Sequence, residues 1–341
     1  MNRRLRTASL GRALIVAGLA GTSGFALAGA YISSSGSFPD RITHPSGYTG
    51  TGGVLEVSVC IAPTSESIAD MEVSVQNAIF NWNQLTPVSP NLFLGGSNDI
   101  PSGQVDFEST VVHEIGHCIG LAHPNAATES GLPNEDRNYT KAGQGSNGSF
   151  DLNPGADGIK GSADDLRGDD ISLHWFNPDN NPFVLTEPVD VSNYSVELAD
   201  LPSGDTFAAN PDRTVGNALG FPDSEAVMQQ GAFFDEDQRQ LGVDDVAMIR
   251  LAASGLDETE GTADDYQLQL VYGGVQSGCD ITVQVTGTSF AFCSVGTATI
   301  SGRHRRVTSA TVQMGSASSY DWYFNQTSVA PELIFDDGFE S

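Results

Sequence analysis

The sequence predicts an α+β fold, assembled from an early strand, three helices and a late run of strands. Three observations carry that reading. Residues 54–61 alternate β-branched and polar side chains between Gly52-Gly53 and Pro63, the pattern of a half-buried strand. Ile68, Met71, Val75, Ile79 and Trp82 then recur at helical spacing, with Ser and Thr upstream available as caps, so they form the core face of a long helix. From residue 266 onward the pattern changes to period two, in residues 266–272 and again in 281–286. Between these, a second helix starts within residues 106–109, and a third spans 238–251 with Leu241, Val246, Ile249 and Leu251 on one stripe. Only 29 residues separate Trp82 from Val112, so any sheet between the first two helices must be small.

The second helix carries the densest chemistry. It reads His113-Glu114-Ile115-Gly116-His117-Cys118-Ile119-Gly120-Leu121-Ala122-His123, which fits H-E-x-x-H-x-x-G-x-x-H. His113 and His117 are four apart, so on a helix both imidazoles leave one face and can share a metal. Glu114 is offset around the helix, close enough to polarise a metal-bound water without being a ligand. Gly120 can take φ > 0, ending the helix so that the chain turns back and brings His123 in as a third nitrogen ligand. Three neutral imidazoles around Zn²⁺ leave a fourth position for water, as catalytic zinc sites require. Cys118 sits one position past His117 and points off that face.

These eleven residues resemble the zinc-binding signature of the metzincin metallopeptidases, a family that also carries a methionine turn downstream. The segment Ser224-Glu225-Ala226-Val227-Met228-Gln229-Gln230 resembles that turn, and residues 238–251 resemble the last helix of matrixin-like catalytic domains; Met248 lies inside that helix. The resemblance implies a domain over residues 38–256 with a small mixed sheet, active-site helix, Met-turn and C-terminal helix. It further implies a zinc metalloendopeptidase acting on protein or peptide substrates, with Glu114 as general base and Met228 as a hydrophobic floor beneath the metal. Pro124 follows the third histidine as in serralysins, yet Gln230 stands where serralysins and astacins place a tyrosine ligand. His123 and Met228 are 105 positions apart, which implies an insertion at about 125–222, rich in Gly, Asn, Asp and Pro. No cysteine precedes Cys60, so a matrixin-style cysteine latch is not expected.

Arg3, Arg4, Arg6 and Arg12 precede an apolar run at 13–20 and small residues beyond it, so residues 1–30 read as a secretory signal peptide too short to span a bilayer. Ala26-Leu27-Ala28 and Ala28-Gly29-Ala30 are alternative cleavage sites. Removing residues 1–30 takes four arginines and no acid, leaving 11 basic against 43 acidic residues and a formal charge of −32. Such a chain does not bind nucleic acid or anionic membranes through phosphate contacts, and no other segment is apolar enough to span a membrane. Four cysteines suit export. Cys279 and Cys293 enclose 13 residues of a β-rich segment and are expected to pair with each other. Cys60 and Cys118 either pair or stay as buried free thiols, with the pair favoured.

An acidic repeat stands out: residues 155–165 align without gaps to 255–265. Asp157, Asp164, Asp165 and Asp257, Asp264, Asp265, with glycines between, suit a calcium ion or, as readily, two solvated turns. His174 beside Trp175 and Phe176 either packs in the core or lines a cleft, and packing is favoured. His44 and His304 carry no partner pattern and are read as surface residues. Residues 257–332 form a small β-domain or a sheet extension, and 333–341 a tail resembling those of exported bacterial proteins. Two other functions fit the same residues: a zinc- or calcium-binding adhesion or matrix protein without catalysis, and a zinc hydrolase acting on a cell-wall bond. The intact Glu114 argues against the first.

Overall fold

The computed structural model describes residues 28–34, 38, 40–87, 98–123, 174–176, 188–192, 194–195, 225–229, 231–232 and 234–329. Residues 1–27 of the leader, most of the insertion with Asp157, Asp164 and Asp165, Gln230 and the tail 333–341 lie outside the described residues.

The molecule is a mixed α/β fold around a mostly parallel sheet. β3 (Gly53–Ile61) lies between β8 (Tyr266–Val275) and β9 (Ile281–Gly287), parallel to both. β9 pairs in parallel with β11 (His304–Gly315), and β10 (Ala291–Ser301) closes that edge antiparallel to β11. β2 (Ile42–His44) adds a short parallel pairing to the start of β11. The period-two pattern is realised directly: Tyr266, Leu268 and Leu270 of β8 point inward, as do Ile281, Val283 and Val285 of β9. Among the described residues only β4 (Val105–Asp106) stands between the first two helices, and it pairs with β12 (Trp322–Tyr323). The sheet expected there is supplied instead by residues 266–315, which lie beside β3 in the same sheet. The late β region is thus an extension of the main sheet.

α1 (Ile68–Gln84) and α2 (Phe107–Cys118) pack on each other and against this sheet. Met71, Val75, Ile79 and Trp82 of α1 are buried as the spacing predicts, and the Trp82 indole donates to the Val112 carbonyl of α2 at 2.9 Å. The start of α1 differs from expectation: its N-cap Ser67 makes no side-chain cap bond. α2 is capped by Asp106, which accepts from the Ser109 N–H at 3.0 Å and from Arg239 through two 2.8 Å bonds. The third helix, α3, spans Val243–Ala253 and starts later than the sequence suggests. Residues 238–241 stay non-helical, which lets Arg239 reach the cap of α2. β1 (Ala28–Tyr31) joins β5 (Leu121–Ala122), β6 (His174–Phe176) and β7 (Tyr194–Ser195) in a small antiparallel sheet ordered β5-β1-β6-β7.

The cysteines pair differently from expectation. Cys60 bonds Cys279 and Cys118 bonds Cys293, leaving no free cysteine. The strand order explains the change. Cys279 enters β9, whose neighbour is β3 with Cys60, whereas Cys293 lies on β10 with β11 intervening. Two strand spacings are about 10 Å, too far for a Cys279–Cys293 bridge. Cys293 faces the end of α2 instead, and each actual pair has its Cα atoms 5.8 Å apart.

His44 and His304 are also not at the surface. Both are buried, with His44 Nε2 and His304 Nδ1 2.9 Å apart and His304 Nε2 3.2 Å from Glu258. Parallel pairing of β2 with β11 brings together two strands that sequence distance hides.

Candidate metal centre

α2 presents His113 and His117 on one face, and the chain must reverse within three residues to add His123. Gly120 makes that turn at φ +118°, where a Cβ would lie 2.5 Å from the Thr43 carbonyl oxygen. β5 then carries the chain back to His123. The three Nε2 atoms converge: His123 Nε2 lies 3.2 Å from that of His113 and 3.1 Å from that of His117.

The tautomers follow from the other ring nitrogens. His113 Nδ1–H donates to the Val227 carbonyl at 2.6 Å, and His117 Nδ1–H donates to the Leu121 carbonyl at 2.9 Å. A carbonyl can only accept, so both protons sit on Nδ1 and both Nε2 lone pairs face inward. With the His123 ring nitrogen at the same point, the three form a group that can hold a cation, and imidazole oriented by an outer carbonyl is how zinc ligands are held. Burial, first, and the neighbouring His117 push His113 down to about 3. Burial likewise lowers His117, and burial with the charges of His113 and His117 lowers His123. All three therefore stay neutral and able to ligate at neutral pH. The residues fit zinc: three nitrogen donors, correctly oriented, with room beside them.

Glu114 is buried next to this cluster. Burial raises its carboxyl to about 8, against a lowering hydrogen bond from the Cys293 backbone, and its Oε2 has no hydrogen-bond partner. An adjacent divalent cation would favour the ionised form and return it toward its ordinary range. Glu114 and the histidines line a cleft of about 580 Å³, together with Phe290–Cys293, Gly231, Ala232 and Phe234.

Met228 sits on a turn that packs against α2. Ala226 and Gln229 close a turn through a 3.2 Å N–H to carbonyl bond, and the buried Met228 sulfur packs on α2 at Gly116. A Cβ at Gly116 would collide with that sulfur and with Trp82. The sequence did not reveal what fixes the turn. Asp245 of α3 accepts from Val227 N–H at 2.9 Å, Met228 N–H at 3.0 Å and Gly242 N–H at 2.6 Å. Nor did it place the β10 edge along the cleft, since 175 residues separate Cys118 from Cys293.

Asp257, Asp264 and Asp265 do come together, with ligand oxygens within 4.8 Å of one another. Their own loop already supplies donors. Leu256 N–H bonds Asp264, Thr259 N–H bonds Asp257, Gly261 and Thr262 N–H bond Asp265, and the Thr262 hydroxyl lies among all three. Burial would raise Asp264, but these bonds outweigh it and hold the carboxyl below its usual range.

No protein-family model, curated protein or solved structure matches this chain. The site's chemistry rests on its own residues.

Proposed function

We propose that the chain is a secreted zinc-dependent endopeptidase. The observation that carries this reading is the convergence of three neutral imidazoles, with His123 Nε2 3.1–3.2 Å from those of His113 and His117, beside a buried glutamate with one unpartnered oxygen in an open cleft. His113, His117 and His123 would hold the metal. Zinc held there would contribute Lewis-acid chemistry, lowering the pKa of a bound water and polarising the scissile carbonyl. Glu114 takes the proton from the attacking water and delivers it to the leaving amine. Its burial keeps it within the cleft wall, and the Cys293 backbone bond holds its orientation. Met228 and the 226–229 turn fix His113 through the Val227 carbonyl. The two disulfides suit an oxidising compartment, and among the described residues no helix is long and apolar enough to cross a membrane.

The test is hydrolysis of casein and gelatin by the purified mature protein, with a chelator control and the Glu114→Gln variant. Glu114→Gln should keep its zinc while kcat/KM falls by roughly 10²–10⁴. Undiminished turnover by the zinc-loaded variant would sink the mechanism. A folded, zinc-loaded protein that cleaves neither protein would favour a non-catalytic binder or a hydrolase of a cell-wall bond, which a panel of peptidoglycan and glycan substrates distinguishes.

A further inference from the structure

The leader offers two cleavage sites that composition does not separate, Ala26-Leu27-Ala28 and Ala28-Gly29-Ala30, because both place alanine at the two positions where small residues are needed. The fold separates them. β1 runs antiparallel to β5, with Ala30 opposite Ala122 and Tyr31 opposite Leu121. Its other neighbour is β6, with Ala28 opposite Trp175 and Gly29 opposite His174. Gly29, Ala30 and Tyr31 are all buried. Gly29 lies so close to α3 that a Cβ would collide with Met248, and the Tyr31 hydroxyl donates to the Met248 carbonyl at 2.6 Å. Ile32 N–H reaches the Gly120 carbonyl at 2.9 Å. Residues 29–32 are thus clamped between α3 and the segment that delivers His123.

Resting on the export reading above, we propose that the leader is cut between Ala28 and Gly29, and that Gly29–Ala30–Tyr31 then serves as an N-terminal strand positioning His123. Hydrolysis adds one water across that amide, leaving a carboxylate on Ala28 of the released leader and an ammonium on Gly29. This cut keeps both β1–β5 pairs and gives up one pair with β6. A cut after Ala30 would remove Gly29 and Ala30, leave Tyr31 opposite Leu121 with the Ile32–Gly120 bond, and strip β6 of both its β1 partners, so that it keeps only β7. β5 is two residues long, β1 is its strand neighbour, and His123 follows it directly. A loosened β5 shifts His123 relative to His113 and His117, with the bond between His117 Nδ1 and the Leu121 carbonyl as the remaining tie.

The experiment has two arms. The full chain is expressed with export, and the released product is read by intact mass and N-terminal sequencing. Chains starting at Gly29 and at Tyr31 are then compared for zinc affinity by competition with a chromophoric chelator, and for thermal midpoint. The product should begin at Gly29, and the Tyr31 chain should bind zinc about tenfold or more weakly. Because the shorter chain can fail to fold, Gly29→Val in the longer chain gives a second reading. It keeps every strand residue but drives a branched side chain at Met248, and should weaken zinc binding in the same direction. A product starting at Tyr31 overturns the proposed cut while leaving export intact. A product still carrying residue 1 overturns both. Equal zinc affinity across all three chains overturns the positioning role, whatever the peptidase assay shows.

Discussion

Gly116 is where α2 and the 226–229 turn come closest, and it gives a substitution whose sign is informative. In an exposed helix interior, replacing glycine by alanine stabilises by about 1 kcal/mol. Here the added methyl meets the Met228 sulfur and the Trp82 ring, both buried. Overpacking of that kind costs about 1–3 kcal/mol. Gly116→Ala should therefore lower stability in urea unfolding; a stabilised variant would mean that the turn does not lie beneath α2. At this scale the sequence was most informative. His113, Glu114, His117, Gly120 and His123 fall within eleven consecutive residues, so the helical spacing of the first three and the glycine turn at 120 predict how they meet. His44 and His304 were misread because their partners, each other and Glu258, lie up to 260 residues away and no local pattern marks them.

Between elements, the tie that matters most is Asp245. Its carboxylate satisfies three backbone N–H groups, joining α3 to the turn whose Val227 carbonyl orients His113. Burial raises this carboxyl to about 6 in spite of the three donors. Asp245→Ala leaves those donors without an acceptor in a buried site, at a cost of about 3 kcal/mol or more. Zinc affinity should fall with it, because the outer partner of His113 moves. Calorimetric unfolding with a parallel metal titration checks both. A stability loss with unchanged zinc binding would separate the turn from the metal site. The helices themselves were legible because their apolar spacing is local. The disulfide pairing was not, since it depends on β11 lying between β9 and β10, an order set only when the whole sheet assembles.

For the molecule as a whole, acidification tests the buried histidine pair first. Burial and the adjacent His304 push His44 down to about 3, from an ordinary value near 6.5. The unfolded chain therefore takes up a proton that the folded chain refuses. The stability His44 gives is complete above about pH 6.5 and is lost as pH falls toward 3, by about 1.4 kcal/mol per unit within that window. Between pH 7 and 5, most carboxylates stay ionised, so the thermal midpoint of the native protein should fall more steeply than that of His44→Gln at equal ionic strength. Parallel curves would remove His44 from the acid response. A larger consequence follows from the sheet order. Ending the chain at residue 256, where the sequence alone suggests a domain boundary, deletes β8, β9, β10, β11 and β12. β3 then has no strand on either side, the inward faces of α1 and α2 lose their cover, and Cys60 and Cys118 lose their partners. Such a chain cannot bury enough apolar surface to offset its conformational entropy. It should lack a cooperative unfolding transition and fail to bind zinc, even though all three histidines, Glu114, Met228 and Asp245 remain. A truncated chain that melts cooperatively and holds zinc would show instead that residues 29–256 form a self-sufficient unit and that the late strands only dock against it.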